Sequence, residues 1–186
     1  MNDAWKPAAD AAALRPPTGG EVLDALLACN VQNVVTVSDW VQLPLQRALD
    51  AQAEEKIVTR KCCSEDEAFM LAAGLYIGGQ RSAIVIQNQG LYAGLNALRG
   101  IGLDSNLPLV MMIGQFGREP ANFSTSTRES SRRMVRILEP LLEMLEIPYW
   151  KVSSTSDLTG IRAAFDSAES KNWPAAVIFD LNMSWE

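Results

Sequence analysis

The 186 residues of the chain suit one ordinary domain, with 48% of them hydrophobic and only 20% charged. A net charge of −6 argues against a phosphate-backbone binder, and the longest apolar runs fall far below the roughly 18 residues of a membrane span, so neither nucleic acid nor a bilayer is an expected partner. The sequence contains no histidine, which excludes histidine triads, histidine-ligated metals and histidine general bases, and leaves carboxylates, other polar groups or a cofactor to do any chemistry.

Residues 1–19, rich in Ala and Pro, lack the basic start and apolar stretch of a secretory signal and read as a flexible arm, with one domain over 20–186. A helix is expected over 21–29. Short apolar, β-branched runs then recur at 33–38, 56–60, 82–88, 107–114, 149–153 and 175–181, separated by helical stretches at 40–53, 65–79, 91–103, 130–146 and 156–170. Continuous apolar strands alternating with helices predict a three-layer α/β/α domain around a six-stranded, mostly parallel sheet. No Gly-x-Gly-x-x-Gly follows the first strand, where "VSDWVQLP" stands instead, so a nicotinamide-binding domain is discounted. Cys29, Cys62 and Cys63 are odd in number and two are adjacent, a poor disulfide or zinc framework and an expected set of thiols in a reducing cytoplasm.

Ligands of such sheets gather beyond the carboxyl ends of the strands. That rule puts 38–40, 61–67, 88–92 and 115–119 on one rim. The polar connection 117–133 is longer than a typical loop and reads equally as a solvated loop, a lid or a partner-binding segment.

"SEDEAFMLAAG" (64–74) places three acidic residues in the first turn of an otherwise apolar helix. Ser64 and Glu67 have the spacing of a capping box, in which the Ser64 hydroxyl accepts from the Glu67 N–H and the Glu67 carboxylate reaches back to the Ser64 N–H. Acidic groups here also complement the helix dipole. The helix behind them is apolar on every side and therefore expected to be enclosed, with a partner completing the cover. A carboxylate at that mouth, Glu65 or Asp66, would be desolvated and suited to moving a proton.

Over 64–98, "SEDEAFMLAAGLYIGGQRSAIVIQNQGLYAGLNAL" resembles the pyrimidine-binding (PYR) domain of thiamine-diphosphate-dependent enzymes, in particular sulfopyruvate decarboxylase alpha subunits and the matching half of phosphonopyruvate decarboxylases. The family's Glu falls at Glu65, nine residues before Gly74, and its Gln-Asn-Ser-Gly-Leu turn appears as Gln87-Asn88-Gln89-Gly90-Leu91, followed by Asn96-Ala97-Leu98. The resemblance implies that Glu65 is catalytic, hydrogen-bonding N1′ of the cofactor's aminopyrimidine so that the ring can take up the thiazolium C2 proton, and that Asn88, Gln89, Gly90 and Leu91 line the same ring. Gly90 also has a plainer reading, as a turn residue needed for its backbone angles.

The family's diphosphate-binding Gly-Asp-Gly is missing from the chain. The resemblance therefore implies a separate beta subunit that holds the diphosphate and Mg²⁺, and a hetero-oligomer with at least two copies of each. Where the sulfopyruvate type carries a Ser-His-Arg-Gly-like run, this chain has Gly114-Gln115-Phe116-Gly117. Asp39, Trp40, Tyr92, Gln115 and Phe116 are candidate substrate-pocket residues, and the loss of cationic groups favours a less charged or aromatic 2-oxoacid, with Arg118 still able to serve an anionic tail. Tight binding of sulfopyruvate with poor turnover of neutral-tailed oxoacids would sink that expectation. A carboligating or acyl-transferring relative and a non-catalytic α/β subunit remain alternatives, distinguished by whether Glu65 has chemical work.

Overall fold

Runs of Val, Ile, Ala and Met build a six-stranded, wholly parallel sheet: β1 (Asn33–Thr36), β2 (Val58–Lys61), β3 (Ser82–Gln87), β4 (Val110–Gly114), β5 (Tyr149–Val152) and β6 (Ala175–Phe179), in the order β2-β1-β3-β4-β6-β5. The computed structural model describes residues 15–54, 56–123, 125–180 and 182–185. Most of the expected N-terminal arm lies outside them. Its last residues are docked: the Thr155 N–H donates to the Arg15 carbonyl (3.2 Å) and the Ser184 N–H to that of Pro17 (2.9 Å).

Alternation along each strand divides the core in two. Val34, Val85, Met112 and Val177 face α1 (Gly19–Ala28), α2 (Leu43–Asp50) and α8 (Thr159–Lys171). Val35, Ile84, Ile113 and Ile178 face α3 (Glu65–Ile77), α4 (Asn88–Ala93), α5 (Leu95–Ala97) and α7 (Leu138–Met144). The chain leaves β1 over the first face toward β2, and leaves β3 over the second toward β4. Neighbouring strands β1 and β3 thus send their loops apart, opening a crevice at their carboxyl ends.

Two helices depart from the sequence expectation. The stretch 91–103 starts earlier and is broken into α4, α5 and a π-helical turn (Leu98–Leu103), with Gly94 at the first break, where a Cβ would come within 2.7 Å of the Phe69 ring. The stretch 130–146 divides into α6 (Arg133–Arg136) and α7.

Helix α3 is also not enclosed by the described residues. Ala68, Phe69, Ala72 and Ala73 are buried, whereas Met70 is 57% and Ile77 78% exposed, with Tyr76 beside them. Apolar composition cannot distinguish a face that packs in the monomer from one that is left bare. No helix among the described residues is long and apolar enough to cross a membrane.

Candidate active site

The acidic turn is fixed largely as its sequence dictates. The Glu67 N–H donates to Ser64 Oγ (3.3 Å), but Glu67 Oε2 accepts from the Cys63 N–H (2.8 Å) instead of that of Ser64, one residue beyond the expected capping box. With Glu67 so employed, Glu65 projects over α4 and has no hydrogen-bond partner among the described residues. A Cβ on Gly90 would lie 2.6 Å from Glu65 Oε1, and one on Gly94 would lie 3.2 Å from Glu65 Cβ. Gly90 is helical and has no positive φ. Close approach of the carboxylate, and not backbone angle, is what demands glycine there.

Across the crevice, the turn after β1 brings a second carboxylate. Asp39 Oδ1 accepts from the N–H groups of Val41 (2.7 Å) and Gln42 (2.8 Å), while Oδ2 is buried with no hydrogen-bond partner among the described residues. Burial pushes the Asp39 carboxyl up, the Gln42 and Val41 amides restrain the rise, and the negative charge of Glu65 adds to it. Gln42 Nε2 donates to the carbonyls of Ile86 (2.7 Å) and Met112 (3.2 Å), pinning the turn across the ends of β3 and β4. Gly114 makes this possible, since a Cβ there would sit 2.8 Å from Val41 Cγ1.

Other residues of the rim hold the scaffold. Asn88 Nδ2 donates to the carbonyls of Phe116 (3.1 Å) and Met134 (3.3 Å), and its Oδ1 accepts from the Gln89 N–H (2.9 Å). The Tyr92 hydroxyl donates to the Met134 carbonyl (2.6 Å), and burial pushes its phenol pKa up. Leu91 is fully buried in the core. Of the cofactor-lining set implied by resemblance, Glu65, Gly90 and the exposed Gln89 come together at the crevice, while the Asn88 side chain and Leu91 serve packing behind it. Trp40 is 84% and Phe116 38% exposed on the same rim.

Gln115 and Arg118 are committed elsewhere. Gln115 Nε2 (2.8 Å) and Arg118 Nη1 (2.6 Å) both donate to Asp180 Oδ1, Ser153 Oγ donates to Asp180 Oδ2 (3.0 Å), and Lys151 Nζ stands 3.0 Å from Glu139 Oε1. The Arg118 side chain is only 2% exposed, so it cannot meet a substrate tail as the sequence allowed. Glu119 accepts from the hydroxyls of Ser130 and Ser131 and from the Ser131 N–H, bonds that hold its pKa down at about 2. The 117–133 connection is thus stitched to the domain and to itself. Lys151 and Asp180 escaped the sequence reading, although two opposite charges at the ends of apolar strands signal a buried pair.

No family model matches the chain. Curated relatives do. It is 26% identical over 136 residues to the sulfopyruvate decarboxylase subunit alpha of Methanocaldococcus jannaschii, covering 73% of this chain and 77% of that one. It is 26% identical over 123 residues to the same subunit of Methanococcus maripaludis, covering 66% and 70%. It is 32% identical over 85 residues to that of Methanothermobacter thermautotrophicus, covering 46% and 48%. The motif around Glu65 and these three matches agree: the chain is similar to sulfopyruvate decarboxylase alpha subunits.

Proposed function

We propose that the chain is the pyrimidine-binding subunit of a two-subunit, thiamine-diphosphate-dependent decarboxylase of a 2-oxoacid. The observation that carries this reading is a carboxylate without a hydrogen-bond partner among the described residues, Glu65, laid on a glycine at the switch point of a parallel sheet. The residues present fit the cofactor's aminopyrimidine: Glu65 offers a free oxygen to a ring nitrogen, Gly90 leaves room beside it, and the buried Asp39 Oδ2 awaits a partner. Thiamine diphosphate, when bound, supplies the nucleophilic carbon and the electron sink that loss of carbon dioxide requires.

The protein's own work is positional and protonic. Glu65 would hold a proton for the N1′ atom of the bound aminopyrimidine, from the first turn of the helix that Ser64 caps. Asp39, held at the opposite wall by two backbone amides, lines the substrate side. The diphosphate and its Mg²⁺ fall to a separate beta subunit, in an assembly with at least two copies of each chain. The bare face of α3, with Met70, Tyr76 and Ile77, is where that partner would exclude water.

Calorimetry with thiamine diphosphate and Mg²⁺ tests the half-site. Negligible binding to this chain alone, restored by the partner, with turnover lost in Glu65→Gln, is the expected result. Tight binding by the chain alone contradicts a divided site, and no binding in either case favours a non-catalytic subunit.

A further inference from the structure

Asn88, Gly90 and Tyr92 follow one another at every second position of α4 and divide its faces between them. Positions i and i+4 of a helix lie on one face, and i+2 points about 200° away. Asn88 and Tyr92 therefore share the side that meets α6, and Gly90 takes the side that meets Glu65. The contacts agree with this division. Asn88 Nδ2 (3.3 Å) and the Tyr92 hydroxyl (2.6 Å) both donate to the Met134 carbonyl, while a Cβ on Gly90 would lie 2.6 Å from Glu65 Oε1. Gly94, one turn on, continues the second face, since a Cβ there would lie 2.7 Å from the Phe69 ring and 3.2 Å from Glu65 Cβ. Helix α4 thus stands as a spacer between one backbone carbonyl and one carboxylate.

Both sides of the spacer are held. The Met134 carbonyl belongs to α6, a helix of four residues that is too short to supply that carbonyl with a donor of its own. Asn88 Nδ2 also donates to the Phe116 carbonyl (3.1 Å), and its Oδ1 accepts from the Gln89 N–H (2.9 Å), so each polar atom of this fully buried side chain is committed. Phe116 leads into Gly117, at φ +85°, and Arg118, whose guanidinium is buried against Asp180, so the second acceptor is anchored as well. On the other side, Glu65 stands in the first turn of α3, and Phe69 of the same helix packs against Gly94. We propose that Asn88 and Tyr92 are positioning residues, which fix the depth of α4 behind Glu65 and so set where the Glu65 carboxylate meets the cofactor ring. The inference rests on the thiamine-diphosphate reading. It takes Asn88 out of the cofactor-lining set and Tyr92 out of the substrate pocket, where the sequence alone places them.

The test compares Tyr92→Phe, which keeps the ring and removes the hydroxyl, with Asn88→Ala and with Val22→Ala. Val22 is buried in α1 on the opposite face of the sheet, so its truncation lowers stability without touching α4. In the full chain by itself, the carboxyl carbon-13 resonance of Glu65, assigned by its loss in Glu65→Gln, should move in Tyr92→Phe and Asn88→Ala and stay in place in Val22→Ala. In the two-subunit complex, exchange of the cofactor's C2 proton should slow roughly 3- to 10-fold in Tyr92→Phe and roughly 10- to 100-fold in Asn88→Ala, with the calorimetric Kd for thiamine diphosphate within about threefold of wild type. Val22→Ala should exchange as wild type does. Gly90→Ala gives the sharper check, since with α4 free to retreat the added methyl should slow exchange less in the Tyr92→Phe background than alone. Tyr92→Phe carries the test by itself if Asn88→Ala does not fold. A Glu65 resonance and an exchange rate that simply follow Tm, Val22→Ala included, would overturn the inference while leaving the cofactor reading, and so would strict additivity of Tyr92→Phe with Gly90→Ala. A wild-type complex that exchanges no faster than free thiamine diphosphate would remove the cofactor reading and this inference with it.

Discussion

Replacing Gly90 by Ala separates what the crevice needs from what the fold needs. The added methyl would meet Glu65 Oε1 at 2.6 Å and Cγ at 2.7 Å, whereas ordinary van der Waals contact begins at 3.4 Å. The Glu65 side chain must therefore retreat by about 0.8 Å or change rotamer, and it has the freedom to do so because its far end is only half-buried. A misplacement near 1 Å at a reacting group costs on the order of 100-fold in rate. Stability should move the other way, since alanine in a helix is favoured over glycine by about 0.8–1 kcal/mol. For a domain of this size that corresponds to a rise of roughly 2–4 °C in Tm. Steady-state turnover of the complex and thermal melting of the chain measure the two effects. A variant with wild-type turnover would refute the claim that Glu65 must rest against Gly90, and one that melts far below wild type would show that the methyl meets a rigid wall.

Three further outcomes follow from the same geometry. Arg118→Met leaves Asp180 buried with only Gln115, Ser153 and a Lys151 nitrogen 3.8 Å away, and should destabilise by about 3 kcal/mol, roughly 6–12 °C in Tm, with stability unchanged if the pair is dispensable. Burial raises the Asp39 pKa above its ordinary 3.8, so its folded state favours the neutral form. Stability is then full below that value and is lost as pH rises toward the folded pKa, and Asp39→Asn should match wild type near pH 3.5 and exceed it at about pH 7.5 in denaturant unfolding. A gap that narrows with rising pH would reverse the sign of the argument. Ile77→Asp, at a position already 78% exposed, should leave melting within about 1 °C yet abolish co-purification of the partner, and retained partner binding would move the interface off α3.

The layers of the fold were legible because continuous apolar, β-branched runs alternate with helical stretches along the chain. Val34/Val35 and Ile84/Val85 face opposite cores as their alternation demands, and the strand runs match the observed strands apart from short shifts at their ends. Glu65 was legible from motif spacing. The reasons behind individual residues were not. Gly90 looked like a turn glycine because sequence carries no record of a neighbour 2.6 Å away from a missing methyl. Asn88 and Tyr92 looked like ligand contacts because nothing local reveals that the Met134 carbonyl, more than 40 residues on, takes their hydrogen bonds. Arg118 looked available because Asp180 is distant in the chain.

The proton that Glu65 handles is the central step of the proposed chemistry. That step can be read without any substrate, by following exchange of the cofactor's thiazolium C2 proton for deuterium with NMR in the two-subunit complex. Exchange in wild type should be much faster than for free thiamine diphosphate, and slowed by on the order of 100-fold or more in Glu65→Gln with cofactor still bound. Equal exchange rates in the two proteins would contradict it, and would leave Glu65 as no more than a helix-end charge.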